Sequence, residues 1–136
     1  MMKTIVRTSL FILLALLILS CGSLRGVSDA KSGRLGIKDT ISTKDSTEYE
    51  LIVFDSGFDF WLNSRAYSEH MYSNDYLQNM NYQYSTAWNR RYATGDRRIE
   101  SYLDYSLTVK YNFDFNYRLF MYFKYFEETN RIKLIP

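Results

Sequence analysis

The sequence holds one cysteine, Cys21, and one histidine, His70. A lone cysteine cannot form an intramolecular disulfide, and a lone imidazole excludes a multi-histidine metal centre and leaves at most one such ring for acid–base work. His70 sits in Ser68-Glu69-His70-Met71, read as a loop between helices, and is expected to be an ordinary surface side chain. There is no Gly-x-Ser-x-Gly nucleophile elbow and no phosphate-binding glycine loop. Aromatic side chains are missing from residues 22–47 altogether. The apolar run at 10–19 is too short to cross a bilayer, because about 30 Å of hydrocarbon takes roughly 20 apolar residues. No metal and no cofactor is expected from this inventory.

What is present at the N-terminus is an address. Lys3 and Arg7 precede the apolar run, which ends at Ser20-Cys21. That is the charged region, apolar region and small residue of a secretory signal. Leu17-Ile18-Leu19-Ser20 followed by Cys21 resembles the lipobox of bacterial lipoproteins. The resemblance implies that Cys21 receives a diacylglycerol, becomes the new N-terminus after cleavage, and anchors the protein through acyl chains; two or more chains hold stably where one does not. Lipidation also accounts for the odd thiol. Residues 22–25 show no aspartate resembling an inner-membrane retention signal and no acidic cluster resembling a surface-export signal, so the outer membrane facing the periplasm is favoured, with the cell surface as the alternative.

The formal charge of +2 hints at anionic partners, but it disappears with the leader. Without Lys3 and Arg7, 15 basic residues face 15 acidic ones. Residues 21–47, with Cys21 at their head and Gly, Ser, Thr, Lys and Asp dominating, read as a flexible tether whose r.m.s. reach is on the order of 25–30 Å, with room for a short strand or helical turn within it. Residues 48–136 then form a single aromatic-rich domain, since 23 of the 24 aromatic residues lie between Tyr49 and Phe126. Large aromatic burial is one way for so short a chain to build a core.

Within that domain, 49–55 contains four consecutive apolar residues and reads as a central strand covered on both faces. A short helix through Phe58, Trp61 and Leu62 follows, capped by Asp55 or Ser56. Leu77, Met80, Tyr84, Ala87, Trp88 and the stem of Arg91 lie on one face of a helix capped by Asn74 or Asp75 and stopped at Thr94-Gly95. Residues 99–111 alternate strictly and predict a long strand or two strands with an irregularity. Phe115, Leu119, Tyr122, Phe123 and Phe126 recur at helical spacing, with Asp114–Arg118 and Lys124–Glu128 as polar pairs at i, i+4. Residues 131–135 alternate again and predict a last edge strand. The fold class is α+β, a small two-layer domain of order β-α-α-β-(β)-α-β.

The segments Tyr49-Glu50-Leu51-Ile52-Val53-Phe54-Asp55 and Asn116-Tyr117-Arg118-Leu119-Phe120-Met121-Tyr122-Phe123-Lys124-Tyr125-Phe126-Glu127, with Trp88-Asn89-Arg90 between them, resemble the hallmark stretches of an uncharacterised family of small bacterial outer-membrane-type lipoproteins. The resemblance implies the address and the domain unit, and no activity.

Three candidate sites follow from the residues. Asp55 and Asp59 flank the turn after the first strand, where two acids suit cation binding or shared acid–base work in a carboxylate-dependent hydrolase or small-ligand enzyme; the structural alternative makes them a helix cap and a dipole partner. Arg90, Arg91, Arg97 and Arg98, with Trp88, Tyr92 and Tyr102 nearby, suit an anionic ligand, although export makes nucleic acid an unsuitable partner and Asp96, Glu100 and Asp104 are close enough in sequence to neutralise them. Tyr67, Tyr72, Tyr76, Tyr82 and Tyr84 exceed what one helical stripe buries, and exposed tyrosine is typical of contact surfaces. The expected function is therefore a non-enzymatic envelope module that binds a protein partner or cell-envelope polymer through an aromatic face.

Overall fold

The last helix organises the molecule. In the computed structural model, which describes residues 33–41 and 47–136, helix α3 (Phe113–Asn130) buries eleven of its side chains, among them Leu119, Met121, Tyr122 and Phe123 with no exposed surface. A helix apolar nearly all round belongs in the interior of a domain. Asn112 starts it by accepting a hydrogen bond from the Phe115 N–H at 2.8 Å, and Arg131 ends it in the left-handed conformation. The signal, Cys21, and tether residues 22–32 and 42–46 lie outside the described residues. Among the described residues no helix is long and apolar enough to cross a membrane.

Around α3 pack α1 (Gly57–Arg65), α2 (Asn74–Ala93) and an antiparallel hairpin of β1 (Leu35–Ile41) and β2 (Thr47–Val53), in register from Leu35 opposite Val53 to Ile41 opposite Thr47. The architecture is the expected α+β, with three α-helices among the described residues. Helix α2 buries Leu77, Tyr84, Ala87 and Trp88 as its spacing requires, and adds the polar Asn81 and Ser85. Its cap is Ser73, whose Oγ accepts from the Tyr76 N–H; it stops at Thr94, with Gly95 at φ 78°. Helix α1 buries Phe58 and Trp61. Each large apolar side chain fully withdrawn from water contributes about 1.5–3 kcal/mol, so the interlocked rings of Phe58, Trp88, Tyr122, Tyr125 and Phe126 account for much of the driving force.

Four expectations are corrected. Leu35–Ile41, assigned by composition to the tether, is a strand: Leu35 is buried, and the hairpin satisfies the backbone without needing aromatics. The 49–55 strand is not central, because among the described residues β1 is its one sheet partner; Leu51 is buried, whereas Phe54 beyond its end is exposed, so the apolar run does not mark two covered faces.

The third correction concerns 99–111, which forms no strand beyond a single bridge between Ile99 and Gly33. Its alternation in burial holds in part: Ile99, Leu103, Tyr105 and Tyr111 point inward while Glu100, Tyr102, Asp104 and Lys110 are exposed, but it breaks at Leu107, which is 44 % exposed. Side chains replace the missing ladder. Asn89 accepts from the Leu103 N–H and donates to the Leu103 carbonyl, both at 2.8 Å, while Trp88 Nε1 donates to the Ser101 carbonyl. The Ser101 hydroxyl accepts from the Leu35 N–H and donates to the Leu35 carbonyl. Fourth, 131–135 is no edge strand but a docked tail. The Ile132 N–H donates to the Glu127 carbonyl, the Leu134 N–H to Glu127 Oε1 at 2.7 Å, and Arg91 to the Lys133 carbonyl.

Candidate functional site

Asp55 and Asp59 are each held by a neighbour. Asp55 Oδ1 accepts from the N–H of Gly57, the first residue of α1, and Oδ2 accepts from the Tyr125 hydroxyl at 2.8 Å. Burial, and then the hydrogen bond to this carboxylate, raise the Tyr125 phenol above its ordinary value. Asp59 pairs with Arg118 from α3, which also stacks over Phe58; this tertiary pair replaces the expected Asp114–Arg118 pair within the helix. Asp55 thus acts as a cap-like acceptor and a tie between α1 and α3. Among the described residues no group of three potential ligand side chains is placed to hold a metal.

The arginine set divides. Trp88 is fully buried at 0 % exposure, so its ring cannot stack on a ligand. Asp96 grips Arg98 through Nε at 2.8 Å and Nη2 at 2.7 Å, with Arg91 at 3.4 Å on the other side. Hydrogen bonding from Arg98 lowers the Asp96 carboxyl to about 2. Arg90 and Arg97 are exposed and carry no ion pair among the described residues. Because the folded Asp96 carboxyl titrates below its unfolded value, its contribution is present above pH 4 and is lost as pH falls toward 2. Urea unfolding should therefore show Asp96→Asn less stable than the parent by up to about 2 kcal/mol at pH 7, with the gap closing as pH drops from 4 to 2. An undiminished gap at the acid end would refute the assignment.

The tyrosines converge in part. Tyr84 is buried, and burial followed by the nearby Glu127 charge raises its phenol. Tyr67 is 60 % exposed, Met71 67 % and Tyr76 47 %. Tyr72 lies between them, stacked on Tyr76 at 5.8 Å and set edge-on against Phe120 at 5.4 Å. Tyr117 donates its hydroxyl to the Tyr67 carbonyl and stacks on Phe113, tying the segment before α2 to α3. His70, in the short 3₁₀ turn Glu69–Met71, is exposed on the same segment. Exposed rings backed by buried rings form a firm, low-entropy contact face. Tyr82 is exposed elsewhere on α2, without a ring contact to this group.

Tyr67 also borders a pocket of about 370 Å³ whose walls include Trp61, Lys124, Glu127 and Lys133. Glu127, which closes the second hallmark stretch but is given no role by the sequence, is a buried carboxylate that accepts from Tyr84 and the Leu134 N–H and lies 3.7 Å from both lysines. Its neighbour Glu128 binds Trp61 Nε1 and Arg65 rather than Lys124. The available signal was position: Glu127 follows Phe123 by four residues and so falls on the apolar stripe of α3.

Comparison with known proteins gives one result: residues 9–135 match a family of unknown function, DUF6146. No curated protein and no solved structure matches the chain.

Proposed function

The chain belongs to the family of unknown function DUF6146, and we propose that it is a lipid-anchored protein of the bacterial cell envelope whose aromatic face binds a partner protein. In this reading Cys21 is acylated and the domain is held on the periplasmic side of the outer membrane. The charged start, the apolar run and the lipobox-like Leu17-Ile18-Leu19-Ser20-Cys21 support the anchor. The observation that carries the binding role is the surface of Tyr67, Met71, Tyr72 and Tyr76, four contact-prone side chains exposed or half-exposed on one segment and braced from behind by Phe120 and Tyr117. A carboxylate-dependent hydrolase has less support, since Asp55 and Asp59 each already serve a partner within the fold.

Crosslinking in living cells followed by immunoprecipitation tests this. The wild-type chain should enrich a specific envelope protein about tenfold or more over a Tyr67→Ser/Met71→Ser/Tyr76→Ser variant with an unchanged far-UV spectrum, as expected when hot-spot side chains are lost. Recovery of peptidoglycan or lipopolysaccharide alone would replace the protein partner with a polymer, and equal recovery by both chains would end the role of this face.

A further inference from the structure

Gly33 is where the described domain meets the segment leading back to Cys21. Its N–H donates to the Arg98 carbonyl at 2.7 Å, and its own carbonyl accepts from the Glu100 N–H, which fixes it beside the turn after α2. Next to it, Arg34 is exposed, and its guanidinium lies over the ring of Phe54 at 4.5 Å; the Phe54 N–H donates to the Arg34 carbonyl. Phe54 itself is 56 % exposed. On the other flank stands Arg97, exposed, while Asp96 is consumed by Arg91 and Arg98. Neither Arg34 nor Arg97 makes an ion pair among the described residues, and the exposed acids of 99–111, Glu100 and Asp104, leave both guanidinium charges uncompensated by direct contact.

Gly33 lies twelve residue steps after Cys21, and a chain spans at most about 3.6 Å per step, so the two Cα atoms lie within roughly 43 Å of each other. With the tether so shortened, an anchored domain is confined beside the bilayer at high effective headgroup concentration, and weak contacts suffice to hold it there.

We propose that this end of the domain, with Arg34, Arg97 and Phe54, is a membrane-docking surface that contacts anionic phospholipid headgroups through its arginines and the interfacial region through Phe54. The proposal rests on the anchored reading above. Positive side chains next to an exposed aromatic ring match a lipid surface in charge and in polarity, since basic groups are drawn to anionic headgroups and amphipathic aromatic groupings to the interface. The same surface sets an orientation: the chain reaches the domain on the side that faces the membrane.

The test uses residues 21–136 with Cys21→Ser, which removes acylation and leaves every described residue unchanged. Sedimentation with vesicles of phosphatidylethanolamine and phosphatidylglycerol should bring the protein down at low salt and release it at high salt, with little sedimentation on phosphatidylcholine alone. A basic side chain near an anionic surface is worth about a fivefold change in partition, so Arg34→Gln with Arg97→Gln should weaken binding about 25-fold. A Phe54→Trp variant should gain fluorescence quenching by bromine-labelled acyl chains beyond that of its parent. Failure to bind anionic vesicles, equal binding to neutral ones, or indifference to both arginines would overturn the docking surface. The anchor is tested separately by the mass of the N-terminal peptide from the natural chain, where an unmodified Cys21 would refute acylation and leave the vesicle result standing.

Discussion

Gly33→Ala should destabilise the domain by about 3 kcal/mol or more and lower its Tm by on the order of 15 °C, the cost of overpacking against groups that cannot yield. A Cβ at this position would lie 2.3 Å from Trp88 Cη2, 2.6 Å from Phe126 Cε2 and 3.1 Å from the Arg98 carbonyl oxygen. Both rings are at most 1 % exposed and packed against each other at 4.8 Å, so neither can rotate away without opening the core. Gly36→Ala is the control. Its new methyl would meet only Ile52 Cβ at 3.9 Å, ordinary van der Waals contact, and should leave Tm within a few degrees. If thermal melts gave equal Tm values for the two variants, the close approach of Gly33 to Trp88 would be wrong.

Asn89→Ala should cost roughly 3 kcal/mol, because it strips partners from two backbone groups at once. The Leu103 N–H and carbonyl both bond to this side-chain amide, and Leu103 is 1 % exposed, so water does not readily replace it. Urea unfolding should report the loss as a lower midpoint with an unchanged slope. Asn89→Asp separates the two bonds: its carboxylate still accepts from the N–H but opposes the carbonyl, and protonation restores a donor. Protonation is favoured in the folded state, so that variant should recover part of its deficit as pH falls toward about 4, whereas Asn89→Ala should not.

These two positions mark the boundary of what the sequence makes legible. The helices could be read because their patterns are local: Leu77, Tyr84 and Trp88 share a face by spacing alone, and the aromatic stripe of α3 lacks a polar side wide enough for a surface helix. Alternation in 99–111 likewise reported most of the side chains that turn inward, Leu107 excepted. It could not report what satisfies the backbone, and here an amide from α2 and a serine hydroxyl take the place of a neighbouring strand. Strand β1 escaped because a hairpin edge needs few apolar residues, and Leu35 with Gly33 supplies its inward contacts.

The site was less legible for the same physical reason. Trp88 and Arg90 are two positions apart in sequence and so fall on opposed sides of a helix, one buried and the other exposed. The acids near Arg91 and Arg98 did neutralise them, through Asp96 alone, while Asp59 found Arg118 across the fold. Of the surplus tyrosines, Tyr84 turned inward to Glu127, a partner that lies 43 positions along the chain. Tyr67, Tyr72 and Tyr76 remained at the surface.

The ties that close the domain also govern when it can fold. Leu35 is bonded to Ser101, Asp55 to Tyr125 and Trp61 to Glu128, so each early element waits for a partner more than 60 residues downstream. Contacts of such separation carry the loop-closure cost before they return any stability, which slows folding and defers it to the end of synthesis. Until α3 has been made, the hairpin and α1 have no interior to pack against.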